Sequence, residues 1–348
     1  NYSKTLPGYV YISVFLSFNL ISLEFLRPLL CIIGFLLNSL IIIVVSKNKK
    51  RELKDKLYSC MSLNSKFNCL YALISFLDII NVCIIPDTIF CSILADSSLA
   101  QYYTTIFTNY FGSAIKTCSN LSYILMTVNR YMLIGKDHLK YLKQISEIKL
   151  KNFLRFSLIF GFLLALPNIN DKKSCYSQNF YLCKISLYFT FIFDAFNYIV
   201  IFLFNTSIEI ILIQKFKREI YEKKNRLRNL NSSTKLDSAD KNESRIKYMV
   251  IFNALLNFLL RAPETIENMM KFYDSFNDKS ASILDHNGNI KEFDFRLSLI
   301  SFFCFNDNIT DLICSNLIKS LDIFYLMSIS SNFFIFYMFN KKFKECIK

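Results

Sequence analysis

The chain has 348 residues, 53% of them hydrophobic, with 36 Phe and 20 Tyr but no Trp, and a formal net charge of +14. Soluble domains run at about 45–50% apolar by a count that includes Gly, so the composition leans towards a membrane protein. The six Gly and five Pro are too few for a collagen-like or low-complexity chain.

The location of the charge excludes a nucleic-acid binder. Of the 41 Lys and Arg, six fall in 47–56, six in 136–155, eleven in 215–247 and four in 341–348. Each block adjoins an apolar segment, and long uncharged runs keep the blocks apart. That is the positive-inside distribution, and it places all four blocks on the cytoplasmic side of a bilayer. The 11 Cys include no Cys-x2-Cys pair, so neither a zinc site nor a disulfide framework is indicated.

The chain opens with an apolar stretch, Tyr9 to Ile21, that resembles a signal-peptide core without a basic flank. We read it as an outer extension running into the first helix. A membrane span needs roughly 20 apolar residues, and seven candidates follow, at 26–46, 67–90, 102–134, 152–168, 185–213, 246–271 and 316–338. The second is approached through a polar stretch holding Asn64 and Lys66. Seven crossings with four basic blocks inside put the amino terminus outside and the carboxyl terminus inside. The third inner loop, 214–245, reads as a flexible linker between two helix extensions. The last outer connection, 272–315, carries the turn pair Asn287-Gly288, and its apolar piece Leu297 to Phe305 is too short to span. No internal repeat is visible, which argues against a transporter built from two related halves. The expected organisation is an all-α membrane protein: an outer segment 1–25, a seven-helix bundle 26–338, and a membrane-surface helix with tail 339–348.

Several motifs carry a family resemblance. The third span ends on Asn129-Arg130-Tyr131, with Ser119 eleven residues before Arg130. Gly34-Phe35-Leu36-Leu37-Asn38 lies in span one, and Asn68 precedes Asp78 by ten residues in span two. Span six has Leu260-Arg261-Ala262-Pro263, span seven has Asn332-Phe333-Phe334-Ile335-Phe336, and Phe339 to Cys346 follows it. Together these resemble a divergent rhodopsin-like G-protein-coupled receptor, of the invertebrate peptide-receptor type. Arg130 then stands for the Arg of the Asp-Arg-Tyr triplet, Pro263 for the hinge of the sixth helix, and Asn332 for the Asn of Asn-Pro-x-x-Tyr. Arg261 replaces the Trp before the hinge, and Phe333 and Phe336 replace the Pro and Tyr. Span four lacks the family's Trp and span five its Pro. The final segment is similar to the family's amphipathic eighth helix.

The resemblance implies a set of roles. Asn38, Asp78, Ser119 and Asn332 form the polar core of the bundle, either as a sodium-type site or as a plain hydrogen-bonded core. Asp78 lies forty residues after Asn38, which implies an unusually long first inner loop. Arg130, flanked by Asn129 and Tyr131, meets the G protein. Glu243, twenty residues before Pro263, either latches Arg130 at rest or pairs with Lys247 on its own helix. For the outer disulfide, the family's third-helix Cys falls near Thr105, so Cys91 is the expected substitute, bridged to Cys183 in preference to Cys175. Cys304 and Cys314 form a candidate second bridge, and Cys346 a candidate acylation site.

Lys116, Asp194, Arg261, Glu264, Glu267 and Asp322 are charges within spans, where ionisable groups face the bundle interior or a water-filled cavity. They read either as a polar ligand pocket, with Lys116 and Arg261 suited to an anionic group, or as a structural network in which Arg261 pairs with Glu264. No catalytic set is present. His138 and His286 lie in loops, and neither an HExxH, a GxSxG nor a phosphate loop appears. The expected function is therefore a plasma-membrane receptor that binds an extracellular ligand, such as a peptide, and activates a heterotrimeric G protein, with no cofactor, metal or nucleic acid. A transporter or channel using the intramembrane charges and a non-signalling membrane scaffold are the competing classes.

Overall fold

The computed structural model describes residues 25–48, 53–82, 102–133, 139–166, 189, 192–193, 195–229, 251–252, 254–256, 258–261 and 308–347. Among them every regular element is helical and no strand occurs. The principal elements are α1 (Arg27–Asn48), α2 (Lys56–Val82), α3 (Ser113–Met132), α4 (Lys140–Glu147), α5 (Leu150–Ala165), α6 (Ile201–Asn229), α7 (Asn308–Phe339) and α8 (Lys341–Ile347). Wide π-helical turns at Thr104–Gly112 and Ala195–Val200 lead into α3 and α6.

The centre of the structure is α3, in which every residue from Ala114 to Tyr131 except Leu121 is buried. It packs against α2, α5 and α6, while α1 lies between α2 and α7. Burial on all sides suits its mixed sequence, because Lys116, Thr117, Ser119, Asn120 and Ser122 can then be met by neighbouring helices. The perimeter is apolar: Leu29, Ile32, Leu36 and Ile43 of α1, Phe156, Ile159 and Leu163 of α5, and Leu203, Phe204 and Ile210 of α6 are all exposed. One described helix, α1, is long and apolar enough to cross a membrane, with a mean hydropathy of 2.8, and Ile323–Met338 of α7 forms a shorter apolar run. The expected seven-helix count thus stands here as an all-helical assembly with one such helix.

Several boundaries differ from the expected ones. Helix α2 begins at Lys56, not 67. The polar stretch ahead of the expected span does not interrupt the helix, because Asn64, Ser65 and Asn68 are buried while Lys66 and Leu70 point outward. Helix α6 continues to Asn229, through the expected start of the third inner loop. Its polar extension consists of good helix formers, with Arg218 and Glu222 paired at 3.0 Å one turn apart. Helix α7 starts at Asn308, so Asn308 and Cys314, expected in the outer connection, are on a helix. The connection between α3 and α5 contains α4, which buries Leu142 and leaves Tyr141 exposed; Lys56 of α2 donates to the carbonyls of Ser146 and Ile148 and ties that connection to the other helices.

Close helix approach rests on two glycines. A Cβ on Gly161 of α5 would lie 2.9 Å from both the Ala114 carbonyl oxygen and the Cys118 Sγ of α3, and one on Gly34 of α1 would lie 3.1 Å from Ser330 Oγ of α7. Cys60, Cys69 and Cys118 are free thiols.

Candidate functional site

Polar side chains from α1, α2 and α3 meet, together with a backbone carbonyl of α7, in one hydrogen-bonded network. Its hub is Asn68, which donates to Asn38 Oδ1 at 3.3 Å and to Asn64 Oδ1 at 3.1 Å, and accepts from Ser119 Oγ at 2.5 Å. Asn38 donates to the carbonyls of Gly34 at 2.8 Å and Ile329 at 3.1 Å, so it joins α1 to α7. Asn64 donates to the Ser119 carbonyl and to Ser122 Oγ, both at 2.9 Å. All five side chains are buried, and their satisfaction within the network offsets the cost of removing them from water.

Asp78 is not in this network. The partner of Asn38 on α2 is Asn68, thirty residues on. Ten residues separate Asp78 from Asn68, about 15 Å along a helix, so Asp78 lies nearly three turns away. There it accepts from Thr108 Oγ1 at 2.8 Å and faces Arg27 Nη2 at 3.6 Å. The long first inner loop implied by pairing Asp78 with Asn38 is thereby removed. Ser119 is in the network, and Asn332 is buried on α7.

A second cluster gathers cations and tyrosines. Lys116 Nζ lies over the Tyr325 ring at 4.4 Å and near the Tyr71 ring at 5.8 Å. Arg261 lies over Tyr123 at 5.1 Å and Tyr325 at 5.5 Å, and donates to Asn120 Oδ1 at 2.7 Å. Tyr71 and Tyr325 meet edge to face at 4.9 Å. Two of the expected pocket residues, Lys116 and Arg261, are therefore brought to one ring, Tyr325. Each positive group faces the negative face of an aromatic ring, which stabilises a partly desolvated cation.

Below this cluster Glu209 of α6, 2% exposed, accepts from Tyr123 Oη at 3.3 Å and Thr127 Oγ1 at 3.4 Å. It lines a small cleft of about 40 Å³ with Phe202, Asn205, Thr206, Ile210, Ala254 and Phe258.

The C-terminal end of α3 carries Asn129, Arg130 and Tyr131, all buried. Asn129 donates to the Leu125 carbonyl at 2.7 Å. Arg130 stacks over Phe336 of α7 at 5.1 Å, and among the described residues its Nε and Nη2 have no hydrogen-bond partner. Tyr131 accepts from the Leu139 backbone N–H at 3.2 Å and lies under Lys215 Nζ at 4.2 Å. Phe336 in turn meets Phe343 of α8, which is fully buried. Helix α8 is held by Asn340, whose Oδ1 caps it by accepting the Phe343 N–H at 3.0 Å, and whose amide donates to Tyr58 Oη at 3.1 Å. Burial pushes the Tyr58 phenol above its ordinary range, with the Asn340 hydrogen bond opposing, so the hydroxyl stays protonated at neutral pH.

Asp194, Glu243, Pro263, Glu264, Glu267, Cys91 and Cys183 lie outside the described residues, as does the side chain of Asp322. Sequence reasoning missed Glu209, although it is an acid inside an apolar run just as Asp194 is. It also missed Asn68 as the hub, Asn120 as a partner, and the three tyrosines, whose roles depend on contacts between distant helices. No family model and no curated protein matches the chain.

Proposed function

We propose that this chain is a seven-helix receptor of the rhodopsin-like kind, which binds an extracellular ligand and activates a heterotrimeric G protein. The reading rests above all on Arg130: a buried arginine at the inner end of the central helix, stacked on an α7 ring that is itself backed by α8. A guanidinium held there has donors to offer a partner once α7 moves, so the closed and open states differ in what Arg130 touches. The apolar perimeter of α1, α5 and α6 suits a bilayer.

In this reading the protein crosses the plasma membrane several times, with its amino terminus outside and its tail inside. Lys116 and Arg261, with Asp194, Glu264, Glu267 and Asp322, line the ligand pocket and favour an anionic group on the ligand, for which a peptide is the leading candidate. Glu243 is the proposed carboxylate partner of Arg130 at rest, Pro263 the hinge, and Cys91–Cys183 the outer staple. Asn38, Ser119 and Asn332 belong to the polar core, with Asn68 in the place first assigned to Asp78.

The test is nucleotide exchange on purified heterotrimeric G protein, with the chain in nanodiscs and a peptide library as ligand. Exchange that rises with one peptide and is lost in Arg130→Ala supports the reading. Absence of exchange with every heterotrimer class, alongside substrate flux or ion current through reconstituted vesicles, would replace it by a transporter or channel.

A further inference from the structure

We propose that the outward face of α5 is a docking surface for an anionic glycerophospholipid, whose head group is held at the start of the helix and whose acyl chain lies along the rest. The proposal rests on the membrane-bundle reading for the presence of the bilayer, and on α5 itself for the chemistry of the surface.

Two neighbouring rows of side chains run along this face. One is Lys151, Arg155, Ile159 and Leu163, and the other is Asn152, Phe156, Phe160 and Leu164. Residues four apart follow one another up a helix, so the rows are two ridges with a shallow groove between them. All of the first row is exposed, as are Asn152 and Phe156 of the second, while Phe160 and Leu164 are half-buried. Each row begins polar and turns apolar. Phe156 and Phe160 stack at 5.4 Å, and Phe160 meets Phe196 edge to face at 5.2 Å, so the second ridge is a packed aromatic ladder. The opposite face of α5 is occupied by α3, where Cys118 Sγ donates to the Ser157 carbonyl at 3.1 Å.

The polar end of the face is cationic. Lys149, Lys151 and Arg155 are exposed, and among the described residues none of them is in an ion pair. Glu147, the acid next to them in the chain, is paired with Lys143 at 4.0 Å. Arg155 sits beside Phe156, which is 57% exposed. In a bilayer a cation at that level needs water, a head group or a partner, and its stem can lie on apolar surface while its guanidinium reaches outward. A phosphate offers such a group two oxygens to bind side by side, and each lysine adds a point charge. A choline head brings its own cation beside the phosphate and leaves the three positive charges uncompensated; a head with net negative charge compensates them. The apolar part fits a lipid in length. From Arg155 to Leu166 the helix rises about 16 Å, close to the roughly 15 Å of one hydrocarbon leaflet, and Ile159, Leu163 and Leu166 are exposed along it.

The experiment uses the full chain in phosphatidylcholine nanodiscs doped with a phosphatidylserine that carries a diazirine in one acyl chain. The phosphatidylcholine analogue with the same chain is the control, and labelled peptides are mapped by mass spectrometry. The serine probe is expected to label peptides containing Ile159 and Leu163 well above the choline probe, and added salt should narrow the gap. Each Lys or Arg near an anionic surface contributes roughly fivefold, so Lys151→Gln combined with Arg155→Gln should cut the preference by roughly 25-fold. Both positions are exposed, and a melting profile reports that the variant folds. Lys342→Gln combined with Lys344→Gln removes the same charge from α8 and should leave the labelling of α5 unchanged. Equal labelling of α5 by the two probes overturns the site and leaves an ordinary lipid annulus. An equal loss in the α8 variant also overturns it, because net charge then sets the preference. Labelling by neither probe, with copies of the chain cross-linking through α5, gives the face to a second copy instead. Release of the chain from membranes by alkaline carbonate would end the bundle reading, whereas an integral chain without the serine preference ends this site alone.

Discussion

Asn68 of α2 donates its side-chain amide to Asn38 of α1 at 3.3 Å, and in doing so it takes the position in the polar core that a carboxylate was expected to fill. The same Asn68 accepts from Ser119 at 2.5 Å, so one amide serves three helices. An amide can both donate and accept, whereas a carboxylate here would only accept and would face the oxygens of Asn38 and Asn64 with no proton to offer.

Asn68→Asp should therefore destabilise the chain by about 1–3 kcal/mol, the range for stranding a buried polar partner. Asn68→Leu should do the same by leaving Asn38, Asn64 and Ser119 short of a partner. Thermal unfolding of the purified chain measures both. Wild type should melt at the same temperature in sodium and choline chloride, because no carboxylate is among the described members of the network, while Asn68→Asp should gain stability from sodium. A sodium-dependent wild type contradicts the closed amide network.

The two helix-contact glycines should differ in tolerance. The Cβ of Gly161→Ala meets a backbone carbonyl and a buried sulfur at 2.9 Å, so α3 and α5 must separate; that of Gly34→Ala meets the Ser330 hydroxyl at 3.1 Å, the end of a side chain that can turn. We expect a loss of about 1–3 kcal/mol for Gly161→Ala, in the range for overpacking, and less than half of that for Gly34→Ala. Reversed order in a melting comparison would mean the α3–α5 contact is looser than these distances give.

Among the described residues, the group seen against Arg130 is the ring of Phe336. A stacking contact of this kind is worth about 0.5–2 kcal/mol. Under the proposed function, Phe336→Leu should raise ligand-free nucleotide exchange several-fold at matched surface expression, and Phe336→Tyr should not. Glu243→Gln, measured beside it, separates the two holds: a rise in both variants means ring and carboxylate share the work. No rise in either leaves Arg130 as a simple positive-inside anchor.

Topology can be tested by glycan mapping. Asn1 and Asn308 begin sequons assigned to the outer side, and those of Asn231 and Asn242 are assigned to the inner side. Asn120 and Asn205 are buried on α3 and α6, so neither should be modified. Asn308 sits on the first turn of α7, which makes Asn1 the better acceptor. Sugar on Asn231 or Asn242 would reverse the orientation and remove the receptor reading.

The helical class was legible because apolar runs of membrane length leave little else for the backbone to do. Asn38, Ser119, Lys116 and Arg261 were legible as polar residues in apolar runs. The register of α2 was not. Asn68 and Asp78 are both polar and ten residues apart, close to three helical turns, so periodicity puts both on one face and cannot say which meets Asn38. The depth at which α1 and α2 cross decides that, and depth is a property of packing. Phe343 was readable as an apolar face of α8, but its contact with Phe336, and through it Arg130, depends on how the chain turns at Asn340.

Tyr325 ties the two central cations together, and its ring, not its hydroxyl, is the part that Lys116 and Arg261 face, at 4.4 and 5.5 Å. Tyr325→Phe should therefore fold almost as well as wild type, while Tyr325→Leu should cost about 1–3 kcal/mol more, from two weakened cation–ring contacts and lost aromatic packing with Tyr71. A double-mutant cycle isolates the Lys116 share. If Lys116 depends on the ring, Lys116→Met should be less damaging in the Tyr325→Leu background than alone, because the ammonium is then already the poorly stabilised partner. Additive costs would mean that Lys116 is held by other groups and that Tyr325 serves only as packing. Under the receptor reading the cycle has a second readout: the more a cation is stabilised by the ring, the less it gains from an anionic ligand. Tyr325→Leu should therefore tighten the binding of an anionic peptide that Tyr325→Phe binds as wild type does.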